Sequence, residues 1–148
     1  PKVIEFNCRF GDPETQPIML RLESDLVELC LKACDGKLDE VKSQWNPKAS
    51  LGIVLAAEGY PGDYRKGDEI TGLPQSAVEN EKVFLAGVET KAGKLVTNGG
   101  RVLCATALGD SVFDAQQKAL KLAEQIQWNG RFYRRDIGYR AVAREQKK

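Results

Sequence analysis

The residues best suited to chemistry lie near the start of the chain, within residues 5–16. Glu5, Asn7 and Arg9 alternate with other residues, so an extended strand would place all three on one face. Carboxylate and amide oxygens at this spacing suit a small hard cation, and a guanidinium beside them suits a phosphate or carboxylate oxygen. The same alternation is typical of any half-buried strand with a solvated outer face. Spacing alone leaves both interpretations open.

A turn ends this predicted strand and adds more polar groups. Residues 11–13 read glycine, aspartate, proline, which is a turn signal. Asp12, Glu14 and Gln16 therefore follow the strand closely and extend the same candidate site. The opposite strand face, which carries Ile4, Phe6 and Cys8, is predicted to lie in the core.

The absence of histidine limits the chemistry of this chain. It excludes Ser-His-Asp and Cys-His catalysis, and also any histidine-ligated metal site. Carboxylates, amides, arginines and lysines remain, and the metal that suits them is magnesium or manganese. The four cysteines show no zinc-binding spacing; Cys30 and Cys34 are one helical turn apart and are expected to pack as small apolar groups. A reducing cytoplasm suits free cysteines.

Composition gives no general reason to expect nucleic acid or a membrane as partner. The 148 residues carry a formal net charge of +1, and 42% of them are hydrophobic, enough for one packed domain. No apolar run is long enough to span a bilayer. The tail from residue 131 holds seven basic and two acidic residues with some aromatics. We interpret it as a solvated terminus with Ile137 and Tyr139 docked on the sheet, with nucleic-acid binding as the alternative.

The elements that must position these residues form an α+β fold. Helical spacing of apolar residues predicts a helix over 24–35, capped by Ser24 and ended by Gly36. A longer helix begins after Ser111, with Asp114 as capping-box partner, and buries a stripe that runs from Val112 to Ile126. These helices accompany a small, largely antiparallel sheet with one long covering helix. The predicted strands cover residues 50–57, 69–74, 82–89, 94–97 and 101–108, with a hairpin turn at 91–93.

Two glycine-rich loops are further candidates for binding an anion. Residues 59–62 read Gly-Tyr-Pro-Gly, and residues 97–101 read Thr-Asn-Gly-Gly-Arg. Glycine pairs are usually only turns, although both loops can bring backbone amides to an anion. Arg101 is the stronger candidate, because an arginine beside a glycine turn can bind phosphate with two hydrogen bonds.

The run from Glu5 to Gln16 resembles the E-x-N-x-R-x-G-D-P-E-x-Q signature of the glycinamide ribonucleotide synthetases, a family of ATP-grasp ligases. E-x-N-x-R alone is shared by many ATP-grasp carboxylate ligases. The Gly-Asp-Pro-Glu-Thr-Gln extension narrows the resemblance to the glycinamide ribonucleotide synthetases. Further similarity lies at residues 59–62, 97–103 and 135–140. In this family the signature lies well past the middle of a longer chain. The resemblance therefore implies a carboxy-terminal fragment, which we expect to be inactive alone.

The resemblance also implies an activity and a division of roles. The family joins glycine to 5-phosphoribosylamine with cleavage of ATP, through a glycyl-phosphate intermediate, in purine biosynthesis. Glu5 and Asn7 would bind Mg²⁺ or Mn²⁺, and Arg9 would act catalytically by neutralising the transferred phosphoryl group. The resemblance implies that four residues face the phosphoribosylamine or glycine: Gly11, Asp12, Glu14 and Gln16. Arg101, in the loop at residues 97–101, is also predicted to bind substrate.

Domain organisation and partners follow from the same resemblance. Residues 1–40 would be the end of an ATP-grasp domain, and residues 41–148 a carboxy-terminal subdomain. The expected partners are glycine, 5-phosphoribosylamine and ATP, with no nucleic acid and no membrane, in a cytoplasmic monomer. Two alternatives stay open: another ATP-grasp carboxylate ligase of the biotin-carboxylase type, and a non-catalytic binding domain.

Overall fold

Two long buried strands form the centre of the computed structural model, which describes residues 2–4 and 9–147. They are apolar and bounded by turn residues, as expected for strands covered on both faces. The strands are β1 (Ala49–Ala57), β2 (Glu81–Leu85), β3 (Val88–Lys91), β4 (Lys94–Thr97), β5 (Arg101–Gly109) and β6 (Arg131–Phe132), and the helices are α1 (Thr15–Arg21), α2 (Leu26–Cys34), α3 (Val112–Gln125) and α4 (Tyr139–Glu145).

The main sheet has the strand order β2-β5-β1-β6, and its described pairings are antiparallel. Alternate residues of β1, including Ile53 and Leu55, are fully buried in one core with Leu122 of α3. The other face carries α1: a Cβ built on Gly52 would lie 3.2 Å from Cγ of Pro17. The sheet is therefore covered by α3 on one face and by α1 on the other. The predicted α+β arrangement, with a long covering helix, is confirmed.

The strands β3 and β4 form a separate hairpin. Ala92 and Gly93 make its two-residue turn and both have positive φ, +49° and +78°, as the tight hairpin turns that match strand twist require. The hairpin was predicted, but residues 82–89 were wrongly predicted as one strand. Two strands occupy this region, since β2 ends at Leu85 in the main sheet and β3 begins at Val88.

The long helix α3 begins at the predicted cap. The Ser111 hydroxyl oxygen accepts a hydrogen bond from the backbone N–H of Asp114 at 3.0 Å. The carboxylate of Asp114 accepts from the N–H of Asp110 at 3.1 Å, one residue before the position expected in a capping box. The first two backbone N–H groups of α3, those of Val112 and Phe113, donate hydrogen bonds to the carboxylate of Glu145 in α4 at 2.8 Å and 3.2 Å.

The segment before β1 differs from the sequence prediction. Residues 15–21 form α1, where no helix was predicted. The cap of α2 is Asp25, whose carboxylate accepts from two backbone N–H groups, while the Ser24 hydroxyl accepts from Gln44 instead. Cys30 and Cys34 are exposed, so their predicted packing is wrong within the described part of the chain. The boundary between residues 40 and 41 stays a prediction.

Three smaller predictions are also wrong in whole or in part. Ile4 was expected in the core and is 96% exposed, whereas Phe6 and Cys8 of the same predicted strand lie outside the described residues. Residues 69–74 form only isolated bridges, from Glu69 to Val96 and from Thr71 to Gln127. In the tail, Ile137 packs against the core as expected, but Tyr139 is 52% exposed and begins α4.

Within residues 2–4 and 9–147, no helix combines the length and apolar character needed to cross a membrane.

Candidate active site

A pocket of about 310 Å³ opens where the loop before α1 meets the adjoining ends of β1 and β5. It brings together residues from the beginning, middle and later part of the chain. Three of them, Asp12, Gln16 and Arg101, were singled out from sequence as substrate-binding candidates. The pocket is lined by Asp12, Gln16, Val54, Tyr60, Ala86, Arg101, Leu103 and Cys104.

An ion pair crosses this pocket. Nη2 of Arg101 lies 2.8 Å from Oδ2 of Asp12, and the two side chains are 40% and 59% exposed. Water screens a pair with this exposure, so the pair adds little stability. Its partners remain accessible, and the guanidinium has further N–H donors that can bind an anion.

Gln16 provides an acceptor oxygen in the same pocket. It is the second residue of α1, and its Oε1 is buried with no hydrogen-bond partner among residues 2–4 and 9–147. A buried carbonyl oxygen without a partner is unfavourable unless water or a ligand donates to it. Gln16 can therefore accept a hydrogen bond from a hydroxyl or amine.

A bulge in the sheet places Arg101. Along β1 and β5, Leu55 pairs with Leu103 but the next residue, Ala56, pairs with Arg101, so the register shifts there. The backbone N–H of Ala57 donates to the carbonyl of Gly100 at 2.8 Å and holds the end of the bulge. Bulges often redirect a side chain beside a functional site.

Cys104 is a neutral group on the pocket wall. Burial raises the pKa of its thiol, and Sγ lies 3.4 Å from the Thr106 hydroxyl oxygen. A thiol with a raised pKa is a poor nucleophile at neutral pH, because the thiolate is the reactive form. The cysteine contributes shape to the pocket.

The other candidates near the loop take different positions. Gly11 is buried, and a Cβ there would lie 1.6 Å from Oε1 of Glu14, whose carboxylate covers this backbone. The Thr15 hydroxyl donates to the Gly11 carbonyl and fixes the same turn. Arg9 is exposed, and its Nη1 donates to the Phe10 carbonyl at 3.1 Å. Among these three candidates, none lines the pocket.

The predicted metal ligands, Glu5 and Asn7, lie outside the described residues. In the part of the chain that the structure does describe, no group of three or more histidine, cysteine, aspartate or glutamate residues is arranged to hold a metal ion. The metal assignment stays a prediction that depends on the residue types and spacing of Glu5 and Asn7.

Sequence reasoning missed Tyr60 as a pocket residue. Its ring lines the wall next to Arg101, whose Cζ lies 5.9 Å from the ring centroid. The signal was present, because the Gly-Tyr-Pro-Gly loop and the loop before Arg101 were both noted as anion-binding candidates. Their contact depends on the pairing of β1 with β5, which spacing does not reveal.

Comparison with known proteins identifies the family to which this chain belongs. Residues 50–140 match the family described as phosphoribosylglycinamide synthetase, C domain. The chain belongs to this family. Arg101 and Tyr60 lie inside the matched range, whereas Asp12 and Gln16 precede it.

Relatives extend the similarity over the whole chain. The chain is 86% identical to phosphoribosylamine–glycine ligase of Haemophilus influenzae and 72% identical to that of Vibrio vulnificus strain YJ016, in each case over 100% of this chain and 34% of the relative. The structure resembles the crystal structure of phosphoribosylamine–glycine ligase from Thermotoga maritima, with a TM-score of 0.76 and 42% identity over 92% of this chain and 33% of that one. The chain thus spans about a third of the length of the relatives that it matches.

Proposed function

We propose that the chain forms the carboxy-terminal part of an ATP-dependent ligase that joins glycine to 5-phosphoribosylamine, giving glycinamide ribonucleotide in purine biosynthesis. Family membership and the names of the relatives support this proposal. The observation that carries it is the pocket in which Asp12 and Gln16 of the signature segment meet Arg101 of the matched domain. This pocket joins the two parts of the chain that carry the family resemblance.

Arg101 binds the phosphate of phosphoribosylamine in this proposal. Its guanidinium is 40% exposed and already faces a carboxylate oxygen at 2.8 Å, a geometry that a phosphate oxygen also fits. Asp12 and Gln16 offer acceptor oxygens on the same pocket, suited to the hydroxyl and amine hydrogens of an aminosugar. One substrate with a phosphate, hydroxyls and an amine can use all three side chains.

The remaining signature residues act beside this pocket. We assign Gly11 to close backbone approach and Glu14 to orientation of the phosphoribosylamine or glycine, supported by the contact of the Glu14 carboxylate with Gly11. Arg9 is assigned to neutralise the phosphoryl group transferred from ATP to glycine, and its exposed guanidinium supports this role.

Glu5 and Asn7 would hold Mg²⁺ or Mn²⁺. A carboxylate and an amide oxygen fit such a hard cation, which prefers oxygen ligands. When bound, the cation would reduce the repulsion between ATP phosphates and the glycine carboxylate. ATP is a substrate in this scheme, and its adenine would be bound by parts of the ligase outside this chain.

The organisation of the complete ligase is part of the same proposal. Residues 1–40 belong with the ATP-binding part, and residues 41–148 form the carboxy-terminal unit. We propose a cytoplasmic monomer with glycine, 5-phosphoribosylamine and ATP as its partners. Cys30, Cys34 and Cys104 are free thiols, which supports a reducing compartment.

A hybrid ligase tests this function. In the hybrid, this chain replaces the matching 148 residues of the Haemophilus influenzae relative. We expect the hybrid to form ADP only when glycine and phosphoribosylamine are both present. Arg101→Met should lower kcat/KM for phosphoribosylamine about 100-fold, since a charged hydrogen-bond donor to the phosphate is lost, while KM for glycine changes less than about twofold.

The matched control is Arg140→Met. Arg140 is exposed on α4 and its Nε donates to the Tyr139 hydroxyl, away from the pocket. The control should keep the kinetics of the unsubstituted hybrid. An active hybrid in which Arg101→Met folds normally and retains its kcat/KM for phosphoribosylamine would contradict the assignment of this pocket.

A further inference from the structure

Tyr60 is the aromatic wall of the candidate active site. Its side chain is 39% exposed and lines the pocket together with Asp12, Gln16 and Arg101. Packing in the core does not explain this side chain, because the hydrophobic core of the described residues does not include it. The surroundings of the ring supply an explanation.

The backbone around Tyr60 is held tightly. The N–H of Tyr60 donates to the carbonyl of Ala57 at 3.2 Å, and the N–H of Gly62 donates to that of Gly59 at 2.7 Å. Gly59 has φ of +92°, and a Cβ there would lie 2.1 Å from the carbonyl oxygen of Asp63. The turn therefore requires glycine at this position and starts directly after β1.

The ring is also enclosed from two sides. A Cβ on Gly100 would lie 2.1 Å from Cδ2 of Tyr60, so the ring sits against bare backbone. The ring of Tyr64 is 6.3 Å away between centroids and tilted by 59°, an edge-to-face type of contact. These contacts leave the ring beside Arg101, with the guanidinium carbon 5.9 Å from its centroid.

Arg101 is therefore held between two groups of different chemistry. Asp12 attracts the guanidinium from one side at 2.8 Å, and the Tyr60 ring faces it at cation–π distance. An arriving phosphate competes for the N–H groups that now face Asp12. A cation–π contact needs no hydrogen bond, so the Tyr60 ring can keep attracting the guanidinium while its N–H groups bind the anion.

We propose that Tyr60 is a positioning residue that holds the guanidinium of Arg101 in place for the phosphate of the substrate. This inference rests on the proposed function and deepens it. The ring acts through Arg101, and it needs its aromatic face for this, since the face of the ring attracts the cation. The Tyr60 hydroxyl has no part in the inferred role.

The test uses steady-state kinetics of the hybrid ligase with Tyr60→Leu and Tyr60→Phe. Tyr60→Leu should raise KM for phosphoribosylamine about fivefold to tenfold, the size expected from loss of a partly desolvated cation–π contact, with kcat changed less than about twofold. Tyr60→Phe should restore KM to within about twofold of the unsubstituted value. KM for glycine and for ATP should stay unchanged in both variants.

Tyr139→Leu is the matched control, because Tyr139 is also an exposed tyrosine with an arginine near its ring, Arg140 at 5.6 Å, but lies on α4.

Tyr60→Leu in the Arg101→Met background should add no further rise in KM. An unchanged KM in folded Tyr60→Leu, an equal loss in Tyr60→Phe, or an additional loss in the double variant would overturn the inference. If Tyr60→Leu has no effect while Arg101→Met does, only the role of Tyr60 fails; if Arg101→Met has no effect, the proposed site itself fails.

Discussion

Asp12 and Arg101 are joined by an ion pair of 2.8 Å, although one precedes the first helix and the other begins the strand β5. The pair connects the signature loop to the central sheet across the candidate active site. Its two side chains stay accessible to water, so it differs from the buried contacts that hold the sheet together.

Removal of the charge from Asp12 should leave stability almost unchanged. We expect Asp12→Asn to change the free energy of unfolding by less than about 1 kcal/mol, because exposed ion pairs contribute little in water. Urea unfolding of the 148-residue chain measures this change. Thr106→Val, a substitution at a fully buried position of β5, gives the scale of a core change in the same assay. A loss of several kcal/mol in Asp12→Asn would mean that the pair holds the fold.

A methyl group at Gly100 should displace the Tyr60 ring, since its Cβ would lie 2.1 Å from Cδ2 of that ring. The ring is partly exposed and can move outward, so the expected cost in unfolding free energy is about 1 kcal/mol. In the hybrid ligase, Gly100→Ala should raise KM for phosphoribosylamine as Tyr60→Leu does. The double variant Gly100→Ala/Tyr60→Leu should resemble Tyr60→Leu alone. A normal KM in Gly100→Ala would show that the ring position does not matter.

The cysteines should react with thiol reagents at different rates. Cys30 and Cys34 are exposed, whereas Cys104 is buried and its pKa is raised by that burial. We expect iodoacetamide at pH 7.5 to modify Cys30 and Cys34 at least about tenfold faster than Cys104, since modification needs an accessible thiolate. Peptide mass spectrometry after timed quenching follows each site separately. Comparable rates at Cys104 would contradict the burial of its side chain.

Asp114 should make stability depend on pH below about 4. Its pKa is lowered from 3.8, chiefly by the hydrogen bond from Lys118 and also by the Asp110 N–H. A lowered pKa in the folded state adds stability above pH 3.8, and this contribution is lost as the pH falls through the lowered value. The stability difference between the chain and Asp114→Asn should therefore be constant at pH 5–7 and shrink toward pH 3, as measured by urea unfolding.

Lys118→Met serves as the second variant for this pH dependence. It removes the main cause of the lowered pKa, so most of the change between pH 5 and pH 3 should disappear. A difference between the chain and Asp114→Asn that grows as the pH falls would contradict the direction of the shift.

The central elements could be predicted because their patterns are strong and local. The strands β1 and β5 are apolar runs between turn residues, and α3 has a clear cap and buried stripe. The helix α1 was missed because it has only seven residues and carries Pro17 in its first turn, where proline is tolerated but gives no periodic signal. Short helices depend on tertiary packing more than on their own sequence.

The candidate site was predicted in part for a related reason. Asp12, Gln16 and Arg101 could be chosen by residue type and family resemblance, and the structure places all three on one pocket. Tyr60 lies in a loop that was noted from the sequence, but its place beside Arg101 depends on the pairing of β1 with β5, whose register shifts between Leu55 and Ala56. A shift of one residue in strand pairing changes which side chains meet, and a single sequence carries little information about it.

The carboxylate of Glu145 accepts hydrogen bonds from the first two N–H groups of α3. Glu145 lies five residues beyond Arg140, where the family match ends. A chain cut after residue 140 would keep every matched position and still leave the start of its longest helix with two fewer hydrogen-bond acceptors. The end of α4 thus holds the start of the helix that covers the core, so the contacts that support α3 extend beyond residues 50–140, the range that matches the family.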